Sequence, residues 1–167
     1  TDNSSVEIDT VIPQISHVSI TSTNINKNWA KFGDNVTVTF QTSEAVLGIY
    51  DNISVSGLSG ITTTGNDNKT QWSVSGPVDS NASGNVTFSL SMQDAAGNQS
   101  PLITIADNGS VEIDTQKPSL DNITLVSSNH HDASFAKDGD NLTLRFNVLG
   151  SEVIQTPTVL ILSLIHI

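Results

Sequence analysis

The sequence has no cysteine, few aromatic side chains and few basic residues. The absence of cysteine from all 167 residues excludes disulfides and thiolate metal sites. Aromatic residues make up 5% of the chain, so a core must be built mainly from Val, Ile and Leu, which suits thin β layers. Six Lys and Arg stand against 17 Asp and Glu, which gives a net charge of -11. Nucleic acids and anionic lipid surfaces require clustered basic side chains, so we expect neither nucleic-acid binding nor direct membrane insertion.

Recognisable catalytic motifs are also missing from the sequence. It contains no His-Glu-x-x-His, no Gly-x-Ser-x-Gly and no phosphate-binding Gly-Lys-Ser/Thr. The acid pair Asp138 and Asp140 flanks a glycine, in a turn where Asp is favoured for backbone reasons alone. We therefore predict that the chain is not an enzyme and assign no catalytic residue.

The residues that are abundant are typical of β structure. Thr, Ser, Asn, Asp and Gly favour exposed strand faces and turns, and they disfavour helix interiors. Val36, Val38 and Phe40 alternate with threonines, and the same period of two recurs over 86–92. This pattern predicts about seven short strands in an antiparallel two-sheet sandwich, with almost no helix. The other predicted strands are 15–22, 52–56, 61–64, 70–75 and 102–105, the last resuming at 111–114.

An internal repeat is the strongest signal in the chain. The hexapeptide Ser-Val-Glu-Ile-Asp-Thr occurs at 5–10 and again at 110–115, an offset of 110 − 5 = 105 residues. The register then continues, because 30–40 matches 136–146 after one inserted residue. A repeat of this length exceeds the 20–50 residues of solenoid units, so each copy should fold as a domain.

Several motifs within the repeat carry a family resemblance. They are Asp9-Thr10 with Pro13 before the first strand, Ala30-Lys31-x-Gly33-Asp34 before the Thr-alternating strand, Thr42-Ser43-Glu44 after it, and Asp94-Ala95-Ala96-Gly97-Asn98 near the end of the copy. Together they resemble the bacterial immunoglobulin-like repeats of very large adhesins and surface proteins. The resemblance implies an extracellular location at the bacterial cell surface and a tandem array of seven-stranded sandwiches used for cohesion, adhesion or spacing. It implies no particular ligand.

The repeat also predicts how the chain is divided. The expected segments are 1–10 as the end of a preceding repeat or a linker, 11–115 as a complete immunoglobulin-like sandwich, 116–161 as the N-terminal part of a second one, and 162–167 as a non-native tail. That tail, Leu-Ser-Leu-Ile-His-Ile, resembles a translated sequencing adapter. Because a partial sandwich cannot cover both faces of a core, we expect 116–167 to form a loose hairpin or arm. Its partly exposed apolar residues should be Leu142, Leu144, Phe146 and Val148.

Acidic and amide residues gather where two repeats should meet, which indicates a calcium site between domains. Ca²⁺ takes six to eight hard oxygen ligands from carboxylates, carbonyls and water. The candidate ligands are Asp94, Asn98, Asp107, Glu112, Asp114, Asp138 and Asp140. No EF-hand loop is present, and the same residue types are common in solvated turns, which is the alternative interpretation. For 94–98 that alternative is a tight turn with positive φ at Gly97 or Asn98 and with Asp94 capping backbone amides.

The sequence thus favours a structural or adhesive spacer, whose partners are neighbouring repeats in the same chain and a cell-surface or matrix ligand. One alternative is a module that binds a glycan or a protein through its loops. Another is an accessory domain of a carbohydrate-active enzyme. Trp29 and Trp72 could stack on sugars, but the alternation around Trp72 predicts a core position, and Trp29 is expected to cap one end of the sandwich.

Overall fold

The structure is a computed structural model that describes residues 4–47, 53–150, 154 and 156–160. The chain divides into a first unit, Thr1–Thr115, and a second unit, Gln116–Ile167. All regular structure in the described residues is β strand, which confirms the predicted all-β class. None of these residues belongs to a helix that could span a membrane. The predicted tail, 162–167, lies outside the described residues.

Eleven strands form several small sheets in the described part of the chain. In chain order they are β1 Ile15–Ser22, β2 Trp29–Ala30, β3 Asn35–Thr42, β4 Ser54–Val55, β5 Thr62–Gly65, β6 Gln71–Pro77, β7 Ser83–Asn85, β8 Phe88–Ser89, β9 Glu112–Asp114, β10 Leu120–Ser127 and β11 Leu142–Val148. The largest sheet has the order β1-β3-β6-β5, with every neighbouring pair antiparallel. A three-stranded sheet has the order β2-β9-β7, and β4 pairs with β8.

The alternation seen in the sequence sets which face of the four-stranded sheet is buried. On β3, Val36, Val38 and Phe40 are buried, whereas the residues between them are exposed or half-buried. Trp72 and Val74 on β6 continue the same inner face, since they lie opposite Phe40 and Val38. The predicted core position of Trp72 is therefore confirmed.

The smaller sheets cover this face and complete one aliphatic core. Val55 on β4, Phe88 on β8 and Ile113 on β9 are buried in the same cluster as the residues of β3 and β6. Leu90 and Met92 are also buried there, although they follow the end of β8. The fold therefore consists of sheet layers on opposite sides of a shared apolar interior.

Three of the strand predictions need correction. The strand predicted over 52–56 is reduced to β4, and residue 52 lies outside the described residues. The strand predicted over 86–92 is reduced to β8, because this stretch changes partner along its length: Val86 bonds to Val111, Phe88 pairs with Val55, and Leu90 bridges Ile103. The strand predicted over 102–105 is only that single bridge at Ile103. In addition, Trp29 is not simply an end cap, since it belongs to β2 and pairs with Glu112.

The described residues of the second unit contain one antiparallel hairpin, formed by β10 and β11. Leu142 is exposed, and Leu144, Phe146 and Val148 are half-buried. The predicted partial exposure of these apolar residues is confirmed. The described part of this unit has only one pair of strands, and no second sheet covers the pair.

Candidate metal centre

The loop 94–98 is built around a buried carboxylate. Asp94 is 3% exposed, and its Oδ1 accepts hydrogen bonds from the backbone amides of Gly97 at 2.7 Å and Asn98 at 2.8 Å. Its Oδ2 accepts a third bond from Asn98 Nδ2 at 2.8 Å. Gly97 has φ of +97°, a conformation that costs glycine little. The tight turn predicted for this segment is confirmed.

These hydrogen bonds keep Asp94 ionised despite its burial. Desolvation by itself raises the pKa of the carboxyl group. The bonds from the Asn98 side chain and from the amides of Asn98, Gly97 and Ala96 act in the opposite direction and together outweigh burial, so the pKa lies below its ordinary value. The hydrogen bonds therefore favour the ionised carboxylate at this end of the first unit.

Two further carboxylates meet Asp94 at this end. One carboxylate oxygen from each of Asp9, Glu44 and Asp94 lies within 4.8 Å of the others, and we call this set the acidic cluster. The cluster joins three separate parts of the chain. Asn98 Nδ2 donates to the backbone carbonyl of Asp9 at 3.2 Å. The amide of Gln14 donates to Ser43 Oγ, and the amide of Ser43 donates to the Gln14 carbonyl, both at 2.9 Å.

Glu44 is the member of the acidic cluster that lacks compensation. Its Oε1 is buried and has no hydrogen-bond partner among the described residues. Burial raises the pKa of Glu44, and the negative charges of Asp9 and Asp94 raise it further. A cation between the three carboxylates would remove the repulsion and give this oxygen a partner.

The donor set of the acidic cluster suits a hard divalent cation. With one oxygen from each, the three carboxylates would supply half or fewer of the six to eight oxygens that Ca²⁺ takes, with backbone carbonyls and water supplying the remainder. No cysteine or histidine belongs to the cluster, and oxygen-only sites favour calcium or magnesium over transition metals. The flexible geometry of Ca²⁺ fits ligands from three loops better than the strict octahedron of Mg²⁺ does.

Of the other candidate ligands predicted from the sequence, Asn98 adjoins the acidic cluster through its bonds to Asp94 and Asp9, whereas the five remaining carboxylates do not belong to it. Asp107 is exposed, and its Oδ2 accepts a hydrogen bond from the amide of Val18 at 2.8 Å, which ties the chain to β1. Glu112 and Asp114 are exposed on β9. In the second unit, Asp138 is exposed.

Asp140 closes a turn in the second unit, and Asp34 closes the same turn in the first. Asp34 Oδ2 accepts from the Lys31 amide at 2.9 Å, and Asp34 Oδ1 pairs with Lys31 Nζ at 3.2 Å. Asp140 makes the same two contacts with Lys137, at 2.9 and 3.5 Å. Asp140, which the sequence suggested as a calcium ligand, is thus already paired with Lys137.

Asp9 and Glu44 were missed as candidate ligands, although both stand in motifs that the sequence shows. Asp9 belongs to the repeated hexapeptide, and Glu44 directly follows the Thr-alternating strand. Their separation of 35 residues, and the further 50 to Asp94, hides the grouping from any local pattern. Comparison of the chain with protein-family models, with curated proteins and with solved structures gave no match.

Proposed function

We propose that the chain is a structural and adhesive spacer of a secreted or cell-surface bacterial protein, built from immunoglobulin-like sandwich repeats. The observation that carries this proposal is the path of the chain through the first unit. It enters at one end of the sheet and leaves at the other. Units of this kind can be joined end to end, so that each copy adds its length to an extended array.

The two ends are defined by β3. The arm before β1 meets Ser43 and Glu44, just beyond the last residue of β3. The chain leaves through β9, which pairs with β2 and β7. These strands lie near the first residue of β3, because the amide of Val78, just after β6, donates to the Asp34 carbonyl. At the exit itself, Thr115 Oγ1 donates to the Ala82 carbonyl. The eight residues of β3 span about 23 Å at roughly 3.3 Å per residue.

Repetition of local structure supports the tandem interpretation. β10 pairs with β11 in the register of β1 with β3, and the irregularity between Ser16 and Ser19 recurs between Asp121 and Thr124. His17 has φ of +53°, and its counterpart Asn122 has φ of +51°. Non-glycine residues seldom adopt positive φ, so this agreement is a specific match between the two copies.

The acidic cluster supplies a mechanism for stiffening such an array. Asp9 belongs to the arm that leads into the first unit, whereas Glu44 and Asp94 belong to its body. A calcium ion held by all three would fix the arm to the body and limit bending at the point of entry. This is the calcium hypothesis of the sequence, with Asp94 retained and the remaining carboxylates replaced by Asp9 and Glu44.

Thermal melts of the full chain with and without calcium test the metal site. We expect calcium to raise the Tm, because a ligand that binds only the folded state stabilises it. Glu44→Gln should raise the Tm in the absence of calcium, by removing one of three repelling charges, and should reduce the calcium effect. Glu112→Gln is the matched control, since it removes an exposed carboxylate outside the cluster. It should change neither the Tm without calcium nor the rise in Tm that calcium produces. An equal calcium response in all three proteins would remove the cation from the proposal.

Force spectroscopy tests the spacer role directly. Residues 4–115 would be placed in one, two or three copies between two fixed handles. Each copy should then unfold as one event that releases about 35 nm of chain, since extended residues span roughly 3.3–3.6 Å each. The number of events should equal the number of copies. Unfolding without discrete events would contradict a series of domains that transmits force.

A second candidate function, glycan binding, is favoured by one surface feature. A shallow groove of about 430 Å³ crosses the outer face of the four-stranded sheet. No carboxylate, lysine or arginine lines it, although the chain as a whole is strongly acidic, and His17 is its one ionisable side chain. Its polar side chains include Gln41, Gln71 and Asn66, which can hydrogen-bond sugar hydroxyls. Binding to an array of neutral glycans that is lost in Gln41→Glu would support this function over a purely structural one.

A further inference from the structure

The segment 107–109 covers the outer edge of β1. The amides of Asp107 and Asn108 both donate to the Val18 carbonyl, at 2.8 and 3.2 Å. The amide of Ile20 donates to the Asn108 carbonyl at 3.1 Å, and the amide of Val18 donates to Asp107 Oδ2 at 2.8 Å. Because β1 is the outer strand of the four-stranded sheet, these contacts satisfy backbone groups that would otherwise face solvent.

The same segment contains a chemically reactive pair of residues. Asn108 is followed by Gly109, and this is the one Asn-Gly pair in the sequence, since every other asparagine precedes a residue that has a Cβ. Both residues are exposed. Among the described residues, neither the side-chain amide of Asn108 nor the backbone N–H of Gly109 makes a hydrogen bond. The two groups are therefore accessible for a reaction with each other.

We propose that Asn108 is a site of spontaneous deamidation, at which the chain alters its own backbone. The Gly109 nitrogen attacks Cγ of Asn108 and closes a cyclic imide, and the side-chain nitrogen leaves as ammonia with the proton of the Gly109 N–H. Water then opens the ring. Cleavage of the bond to Cγ gives aspartate, whereas cleavage of the bond to the main-chain carbonyl carbon gives isoaspartate. The proposal does not depend on the spacer role, because it concerns the covalent structure of a single unit.

The two products differ in their effect on the edge of β1. Aspartate keeps the backbone path and adds a negative charge beside the exposed Asp107, where solvent and salt screen it. Isoaspartate lengthens the backbone by a methylene carbon and turns the Asn108 carbonyl, which is the acceptor for Ile20, into a carboxylate outside the main chain. The segment packs too closely to absorb this change, because even a Cβ on Gly109 would lie 2.2 Å from the Ile20 carbonyl oxygen. The isoaspartate form should therefore uncover the edge of β1.

Peptide mapping by mass spectrometry tests the site. The full chain is kept at physiological temperature and mildly alkaline pH, and every asparagine is scored over time for replacement of its NH2 group by OH. We expect Asn108 to convert faster than any other asparagine and to give both aspartate and isoaspartate. Asn108→Gln is the matched control, and it should not convert over the same period because its longer side chain would have to close a larger ring. The proposal is overturned if Asn108 does not convert, or if another asparagine converts before it.

The same measurement in concentrated urea isolates the part played by glycine, since no variant has to fold there. Gly109→Ala should slow the conversion of Asn108 about tenfold, because the added Cβ hinders attack by the backbone nitrogen. Equal rates in the two unfolded chains would show that attack by this nitrogen does not set the rate, and would overturn the proposed reaction.

Thermal melts test the effect on the fold, with Asn108→Asp as a matched control that adds the charge and keeps the backbone path. This variant should melt within about 2 °C of the natural chain. The isoaspartate form, purified from the incubated protein by ion exchange, should melt at least about 4 °C below Asn108→Asp, and its Ile20 amide should exchange hydrogen faster. Equal melting and equal exchange at Ile20 in the two proteins would overturn the claim that the modification uncovers β1.

Discussion

Phe40 and Phe146 occupy the same position in the two copies of the repeat, but their surroundings differ. Phe40 is 2% exposed in the core of the first unit, and Phe146 is half-buried on β11. A buried Phe removes about 150–250 Å² from water, worth roughly 4–6 kcal/mol at about 25 cal/mol per Å². Truncating such a residue to alanine costs about 3–5 kcal/mol. At about 4 °C per kcal/mol for a unit of this size, Phe40→Ala should lower the Tm of the first unit by roughly 12–20 °C.

Phe146→Ala should leave that transition within about 2 °C, because its side chain belongs to another unit. Differential scanning calorimetry of the full chain measures both shifts. Thr39→Ala serves as a control for strand propensity, since it is exposed on the same strand as Phe40, and should cost at most about 1 kcal/mol. A drop of less than about 5 °C in Phe40→Ala, or an equal drop in Phe146→Ala, would refute the assignment of one closed core to the first unit.

Two other predictions concern backbone geometry and pH. Gly33 has φ of +89° with open space where a Cβ would lie, so Gly33→Ala should cost only about 1–2 kcal/mol. At Gly109 the φ is +83° and a Cβ would lie 2.2 Å from the Ile20 carbonyl oxygen. Gly109→Ala should therefore lower the free energy of unfolding, measured in urea, clearly more than Gly33→Ala does. Equal losses in the two variants would contradict this contact. The second prediction concerns pH. The pKa of Asp94 is lower in the folded state than its value of about 3.8 in the unfolded chain, so the ionised carboxylate stabilises the fold at pH values above 3.8. This stabilisation is lost as the pH falls through the lower pKa of the folded state. Asp94→Asn should therefore be less stable than the natural chain at pH 7, with a gap that narrows below pH 4; a gap that stays constant down to pH 2.5 would show that ionisation plays no part.

Local patterns predicted the long strands well. The strand expected at 15–22 is β1 without change, and those expected at 61–64 and 70–75 are β5 and β6 within two residues. β6, and β1 from Val18 onward, alternate buried and more exposed residues, so one face of each is specified by its own sequence. β5 has no such alternation, and its threonines indicated a strand through their β propensity. The short strands β2 and β7 were not predicted, because two or three residues carry no period. They exist because β9, from far along the chain, pairs with both.

The candidate site was predictable only in part, for a similar reason. The turn at 94–98 is local, and its glycine and its capping carboxylate are visible in five consecutive residues. The meeting of Asp94 with Asp9 and Glu44 depends on the hydrogen bonds between Gln14 and Ser43 and between Asn98 and Asp9. Those contacts form only when the arm, the turn after β3 and the loop reach the same end of the sheet.

By itself the sequence determined the all-β class, the repeat, the inner face of β3 and β6, and the turns closed by aspartate. Each of these follows from residues that are neighbours along the chain or from direct identity between two segments. Tertiary structure decided which carboxylates share a site and which copy of the hexapeptide is buried. The two copies of Ser-Val-Glu-Ile-Asp-Thr make the distinction clear, since identical residues are core in one place and exposed in the other. Burial depends on the strands that pack against a segment, and no pattern within the segment encodes their presence.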